Sequence, residues 1–204
     1  MTIPILKHRS FVAFACLDAS LDLVEEVVER VLSPTKDFKS RWFLGRSYFS
    51  LPVQLYNPTV LRGVFWTPAT APGKTAFMSN LTDGWQALCH ILGTEGRLRM
   101  LCVRASTLQE QWPVVDFEYF EGGLSLRYVR AIQDDSKGDF FKMGQPIPAE
   151  DLGRSNLSRT RHWLTLQDIS DIATRLGWPI SKAAFWTSPQ AALRLQLTPR
   201  VSFR

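Results

Sequence analysis

Three histidines, three cysteines and no long apolar run limit what this 204-residue chain can do. A Ser–His or Cys–His centre needs a nucleophile, a base and an orienting group. His8, His90 and His162 are the only bases of that kind, and no G-x-S-x-G elbow accompanies them. His162 sits in an arginine-rich stretch that reads as exposed, and His90 falls on a predicted helix near Trp85. Cys16, Cys89 and Cys102 cannot all pair within one chain, and each lies among apolar residues. They read as buried free thiols in a reducing compartment, the cytoplasm. A zinc site needs about four ligands at workable spacing. Cys89 and His90 are adjacent on a helix and diverge by about 100°, so no metal and no cofactor is expected. No stretch approaches the ~20 apolar residues of a membrane span. The run Phe11–Leu17 is short and meets Asp18, so it reads as a buried strand and not a signal peptide.

Two further motifs fail on inspection. Pro72-Gly73-Lys74-Thr75 resembles the end of a phosphate loop, but Pro68 stands where the first glycine belongs, and a strand follows where a helix is needed. The paired carboxylates Asp134-Asp135 are followed by Ser136-Lys137-Gly138, which have turn chemistry.

What the chain does have is core-forming material. Hydrophobic residues make up 45%, with thirteen Phe and seven Trp, enough for a packed interior. The stretch Trp112–Glu150 organises it. Val115, Phe117 and Tyr119 alternate with Asp116 and Glu118, the period-two signal of a strand. Gly122-Gly123 supplies a tight turn, and Leu124–Ile132 returns. With a two-glycine loop, Phe117 faces Tyr128, Tyr119 faces Leu126, and Glu118 faces Arg127 as a cross-strand ion pair. Phe140–Met143 forms a third strand, ended by Pro146 and Pro148.

Elsewhere, Leu21, Val24, Val27, Val28, Val31 and Leu32 recur at helical spacing after the capping oxygens of Asp18-Ala19-Ser20. Ser33-Pro34 stops that helix. Arg41–Tyr56 holds one or two strands, and Val60–Trp66, Thr75–Ser79 and Arg97–Ala105 are further strands. Thr82 or Asp83 caps a second helix with Trp85, Leu88, Cys89 and Leu92 on one face, closed by a left-handed Gly93. Thr165 with Asp168 forms a capping box for a third helix, with Leu164 stapled to Ile169. Its buried face is Ile169, Ile172, Ala173 and Leu176, and Gly177 and Pro179 end it. A strand is expected around Leu193–Leu197. No exact internal repeat appears. These elements define an α+β fold, a mostly antiparallel sheet with about three packed helices. It is read as one domain over residues 1–204, with Thr67–Lys74 as the place where two parts would divide.

Arg154, Arg159, Arg161, His162 and Trp163 form a basic and aromatic cluster in the segment 151–163. Such a set can be a solvated loop, a protein contact, or a platform for phosphate and a stacked base. The formal charge of +5 permits acidic partners but is unsuited to imitating a nucleic acid, which needs a surface of carboxylates.

The succession FEYFEGGLSLRYVRAIQDD…DFFKMGQPIPAEDL resembles small bacterial cytoplasmic immunity proteins encoded beside polymorphic or type VI secretion toxins. The resemblance spans Trp85–Gly177, with Phe140 and Phe141 standing where the family has an aromatic near the acidic turn. It implies a protein that binds one cognate toxin and blocks its active site or substrate entrance, and it carries no catalytic residues with it. The expected partner is therefore a protein toxin, with the arginine cluster as the candidate contact. The rivals are an enzyme of unrecognised type, assembled by the fold from scattered Arg, Asp and His residues, and a nucleic-acid binder.

Overall fold

The computed structural model describes residues 3–34, 38–44, 60–133, 138–150 and 164–198. The strands are β1 (Phe11–Leu17), β2 (Phe38–Phe43), β3 (Leu61–Trp66), β4 (Thr75–Ser79), β5 (Met100–Ser106), β6 (Val114–Glu121), β7 (Leu124–Ile132), β8 (Asp139–Met143) and β9 (Ala192–Leu197). The helices are α1 (Leu21–Leu32), α2 (Gln86–Thr94) and α3 (Leu166–Arg175), with short 3-10 turns at Pro4–Lys7 and Ala183–Trp186. All nine strands of the described residues join one sheet in the order β2-β9-β3-β4-β1-β5-β6-β7-β8. Every neighbouring pair is antiparallel. The fold is α+β and mostly sheet, as the alternation and the inserted helices predict. The loop 67–74 joins β3 to β4, which pair directly with each other.

Both faces of the sheet are covered at its centre. On one face α1 and α2 pack on Ala15, Leu17, Phe65, Phe77 and Phe120. On the other, α3, the two 3-10 turns and Ile147 cover Phe14, Cys16, Val64, Trp66, Phe117 and Tyr119. Neighbours in sequence therefore go to opposite cores, which is why β1 reads as a continuous apolar run rather than an alternating one. The buried indoles place their N–H groups on backbone carbonyls: Trp66 donates to Phe185 at 3.0 Å and Trp186 to Ile180 at 2.9 Å.

The helix boundaries follow from local chemistry. Ser20 caps α1, its hydroxyl accepting from the Leu23 amide. Thr165 and Asp168 form the expected capping box on α3, and Leu164 packs on the core that holds Ile169. Gly177 ends that region with a φ of 89°. The second helix differs from expectation at both ends. Its first turn is entered through Trp85 in the left-handed conformation, with Asp83 Oδ1 accepting the Trp85 amide at 2.8 Å. Gly93 lies inside α2 instead of closing it. A Cβ there would stand 2.5 Å from Phe120 Cδ1, so the glycine is a close-packing residue. Similarly, β5 starts at Met100 and not Arg97, because Arg97 has a φ of 54° that extended pairing does not allow.

The central hairpin is present, with Gly122 and Gly123 both at positive φ, but its register is corrected. Phe120 faces Ser125 and Glu121 faces Leu124 as the two-glycine loop requires, and then the register slips by one residue. Beyond the slip Phe117 faces Val129, Glu118 faces Tyr128, and Tyr119 faces Arg127. Leu126 is the extra residue of a bulge. A one-residue slip exchanges the faces of every side chain after it. The Glu118–Arg127 ion pair therefore does not form. Gly144 lies against the Leu126 carbonyl at this point, where a Cβ would come within 1.9 Å.

Candidate protein-binding face

The bulge creates a second surface feature. On the α1/α2 side, Arg104, Asp116, Arg130 and Phe141 stand in one cross-strand row running from β5 to β8. Cys102, Glu118, Tyr128 and Met143 form the adjacent row. Directly opposed residues share a face and touch. Arg104 Nε donates to Asp116 Oδ2 at 2.8 Å, and Arg104 Nη2 lies 2.5 Å from the same oxygen. Arg130 Nη2 donates to Asp139 Oδ2 at 2.8 Å, and its guanidinium lies 5.9 Å from the centre of the Phe141 ring. Tyr128 and Phe141 rings meet at 5.7 Å. Ser125 donates to Glu118 at 2.6 Å.

Burial and pairing oppose each other at Asp116. Desolvation outweighs the guanidinium of Arg104 and raises the Asp116 carboxyl above its ordinary range. Beside it, the Cys102 thiol is raised by its contact with Cys89 and then by burial, and the Cys16 thiol is raised by burial, against the charge of Lys74. Such thiols stay protonated and are poor nucleophiles. The cleft between α2 and these rows, lined by Asp83, Cys89, Cys102, Arg104 and Glu118, has a volume of about 30 Å³. Ligand pockets start near ~300 Å³, so this cleft is too small to enclose one.

The surface ends at β8, the outer strand of the sheet. All five of its residues are exposed, with Phe140 at 51%, Phe141 at 43% and Met143 at 46%. Lys142 is its only basic residue. A bare apolar edge is a template for pairing with another chain. The opposite outer strand, β2, is tied to α1 by side chains: Trp42 Nε1 donates to Glu25 at 2.6 Å and Ser40 donates to Glu29 at 3.3 Å.

Of the residues the sequence singles out, Arg154, Arg159, Arg161, His162 and Trp163 lie outside the described residues. His90 is described. Its ring meets the edge of Phe120 at 5.6 Å, and no carboxylate hydrogen-bonds it among the described residues. Cys89 and Cys102 come together, but no group of three or more ligating side chains among the described residues could hold a metal ion. No helix of the described residues is long and apolar enough to cross a membrane. The Arg104–Asp116–Arg130 row is invisible in sequence because it depends on the pairing of three strands and on the slip at Leu126. The apolar edge was legible in part, as the Phe140-Phe141 pair.

Comparison of the chain with family models, with curated proteins and with solved structures finds no match.

Proposed function

We propose that this chain is a non-catalytic protein-binding protein of the immunity type, which holds a cognate toxin through the β8 edge and the Arg–aromatic rows beside it. The observation that carries the reading is β8: an outer strand with three large apolar side chains exposed and its outer edge unpaired among the described residues. A partner strand added there would gain main-chain hydrogen bonds, with Phe141, Met143, Tyr128 and Arg130 supplying side-chain specificity. Aromatic and Arg side chains are the usual anchors of such contacts. The rows are close to electroneutral, since Arg104 and Arg130 are each matched by a carboxylate, so the contact is mainly apolar on this face. Arg154, Arg159 and Arg161 would meet an acidic patch in the same partner. The reading implies the cytoplasm, in keeping with the three free cysteines.

The test is co-expression of the chain with the toxin encoded beside its gene, followed by growth measurement and isolation of the complex. Protection by the parent and its loss in Phe141→Lys, with an unchanged melting temperature, supports the reading. Failure of the parent to protect removes the immunity role, and full protection by Phe141→Lys removes β8 from the contact.

A further inference from the structure

A second cleft opens on the α3 side of the sheet, where the C-terminal end of α3 overhangs the ends of β5 and β6. Its volume is about 280 Å³, close to the lower bound of small-molecule sites. Arg99, Tyr119 and Arg175 line one part, and Ile147, Pro148 and Leu176 the other. Arg99 commits two of its nitrogens: Nε donates to the Tyr119 hydroxyl and Nη1 to Asp18, each at 2.9 Å. Arg175 commits Nη1 to the Ala149 carbonyl at 2.9 Å. Arg99 Nη2 and Arg175 Nε and Nη2 have no hydrogen-bond partner among the described residues, and the Arg99 guanidinium lies 5.9 Å from the centre of the Trp178 ring. Two guanidinium groups with unused donors thus border one partly apolar cleft.

Among the described residues the cleft's lining sets Arg99 and Arg175 against Glu121 alone, a positive excess. Asp18 is already held by both Lys74 at 3.1 Å and Arg99. Glu121 is the loose member. It is 53% exposed and stands 3.8 Å from Arg99 Nε. A half-exposed carboxylate already stands beside Arg99, so the site suits that group and can exchange it.

We propose that this cleft binds a small organic carboxylate with an apolar body. Its carboxylate displaces Glu121 from beside Arg99 and takes the unused donors of Arg99 and Arg175, and its body rests on Ile147, Pro148 and Leu176. The bidentate geometry of guanidinium and carboxylate favours this ligand over a neutral one.

The experiment is calorimetric titration of the full chain with benzoate, phenylacetate and 3-methylbutanoate, and with benzamide as the neutral counterpart of benzoate. Saturable binding of at least one carboxylate and none of benzamide is expected. Arg175→Met should weaken the carboxylate about tenfold or more. Glu121→Gln should tighten it a few-fold, since the internal competitor loses its charge. The Glu121 side chain is half exposed, so this second variant remains readable if Arg175→Met does not fold. Equal binding of benzoate and benzamide, no binding of any of the three carboxylates by the parent and Glu121→Gln alike, or unaltered affinity in both variants overturns the proposal. None of these outcomes depends on β8 or on a toxin partner.

Discussion

Arg127 holds Glu150 through two parallel hydrogen bonds of 2.9 Å, Nε to Oε1 and Nη2 to Oε2. The side chains are only 6% and 9% exposed. Arg127 Nη1 also donates to the Gly144 carbonyl at 2.7 Å, and the Ile147 amide donates to Glu150 Oε1 at 2.9 Å. The pair therefore ties β7 to the segment that follows β8. Removing one partner leaves the other charge buried, which costs about 3–5 kcal/mol. Arg127→Met and Glu150→Met are each expected to lose that much in urea denaturation. The double variant should lose less than the worse single, because no charge is left unpaired. Additive losses would show that the two side chains act separately.

Asp116 gives a pH dependence with a definite sign. Its folded-state pKa is raised by burial, so the folded chain binds the proton more tightly than the unfolded one. The associated stability is complete below the ordinary carboxylate value of about 4. It is lost as pH rises through the raised folded value. The stability difference between the parent and Asp116→Asn should therefore move against the parent as pH rises from about 4. Denaturant melts of both proteins at stepped pH measure this. The opposite slope would mean that Arg104 dominates burial.

Gly93 offers a test of packing against helix propensity. Alanine is the better helix residue by about 1 kcal/mol, but its Cβ would strike Phe120 at 2.5 Å. Overpacking of this kind costs about 1–3 kcal/mol. Gly93→Ala should therefore lower the melting temperature, and Gly93→Ala with Phe120→Leu should recover part of the loss. A stabilised single variant would show that the ring moves aside freely.

The basic segment is tested by kinetics. Arg159→Glu with Arg161→Glu should slow association with the cognate toxin, by about tenfold at low salt, and change dissociation less. Surface binding kinetics across a salt series, alongside a melting curve, measure the effect. Unchanged association removes the segment from the interface, and a large fall in melting temperature shows that these arginines are structural.

Much of the fold was legible in local chemistry. The α1 stripe, the Thr165–Asp168 box and the Gly122-Gly123 turn all act over a few residues, and each is found where its residues predict. What was not legible depends on distant pairs. The slip at Leu126 rests on Gly144 and Glu150, far along the chain, and it turns Arg127 from a surface partner of Glu118 into a buried one. Gly93 has the composition of a helix stop, and only Phe120 beneath it explains why the helix continues. The candidate face has the same origin. Arg104, Asp116 and Arg130 are unremarkable along the chain and become a row only when β5, β6 and β7 lie side by side.

The position of β9 bears on how the molecule is made. It lies between β2 and β3, yet both of those strands precede it in the chain by well over half the sequence. Until β9 emerges from the ribosome, β2 has no neighbour among the described strands and β3 presents a side that none of them pairs. Pairings of such long sequence separation form slowly and leave sticky surfaces in the interval. A product cut short before Ala192 would carry, among the described strands, an open margin at β3 besides β8 and a detached β2, so incomplete chains should cluster with one another or be retained by chaperones.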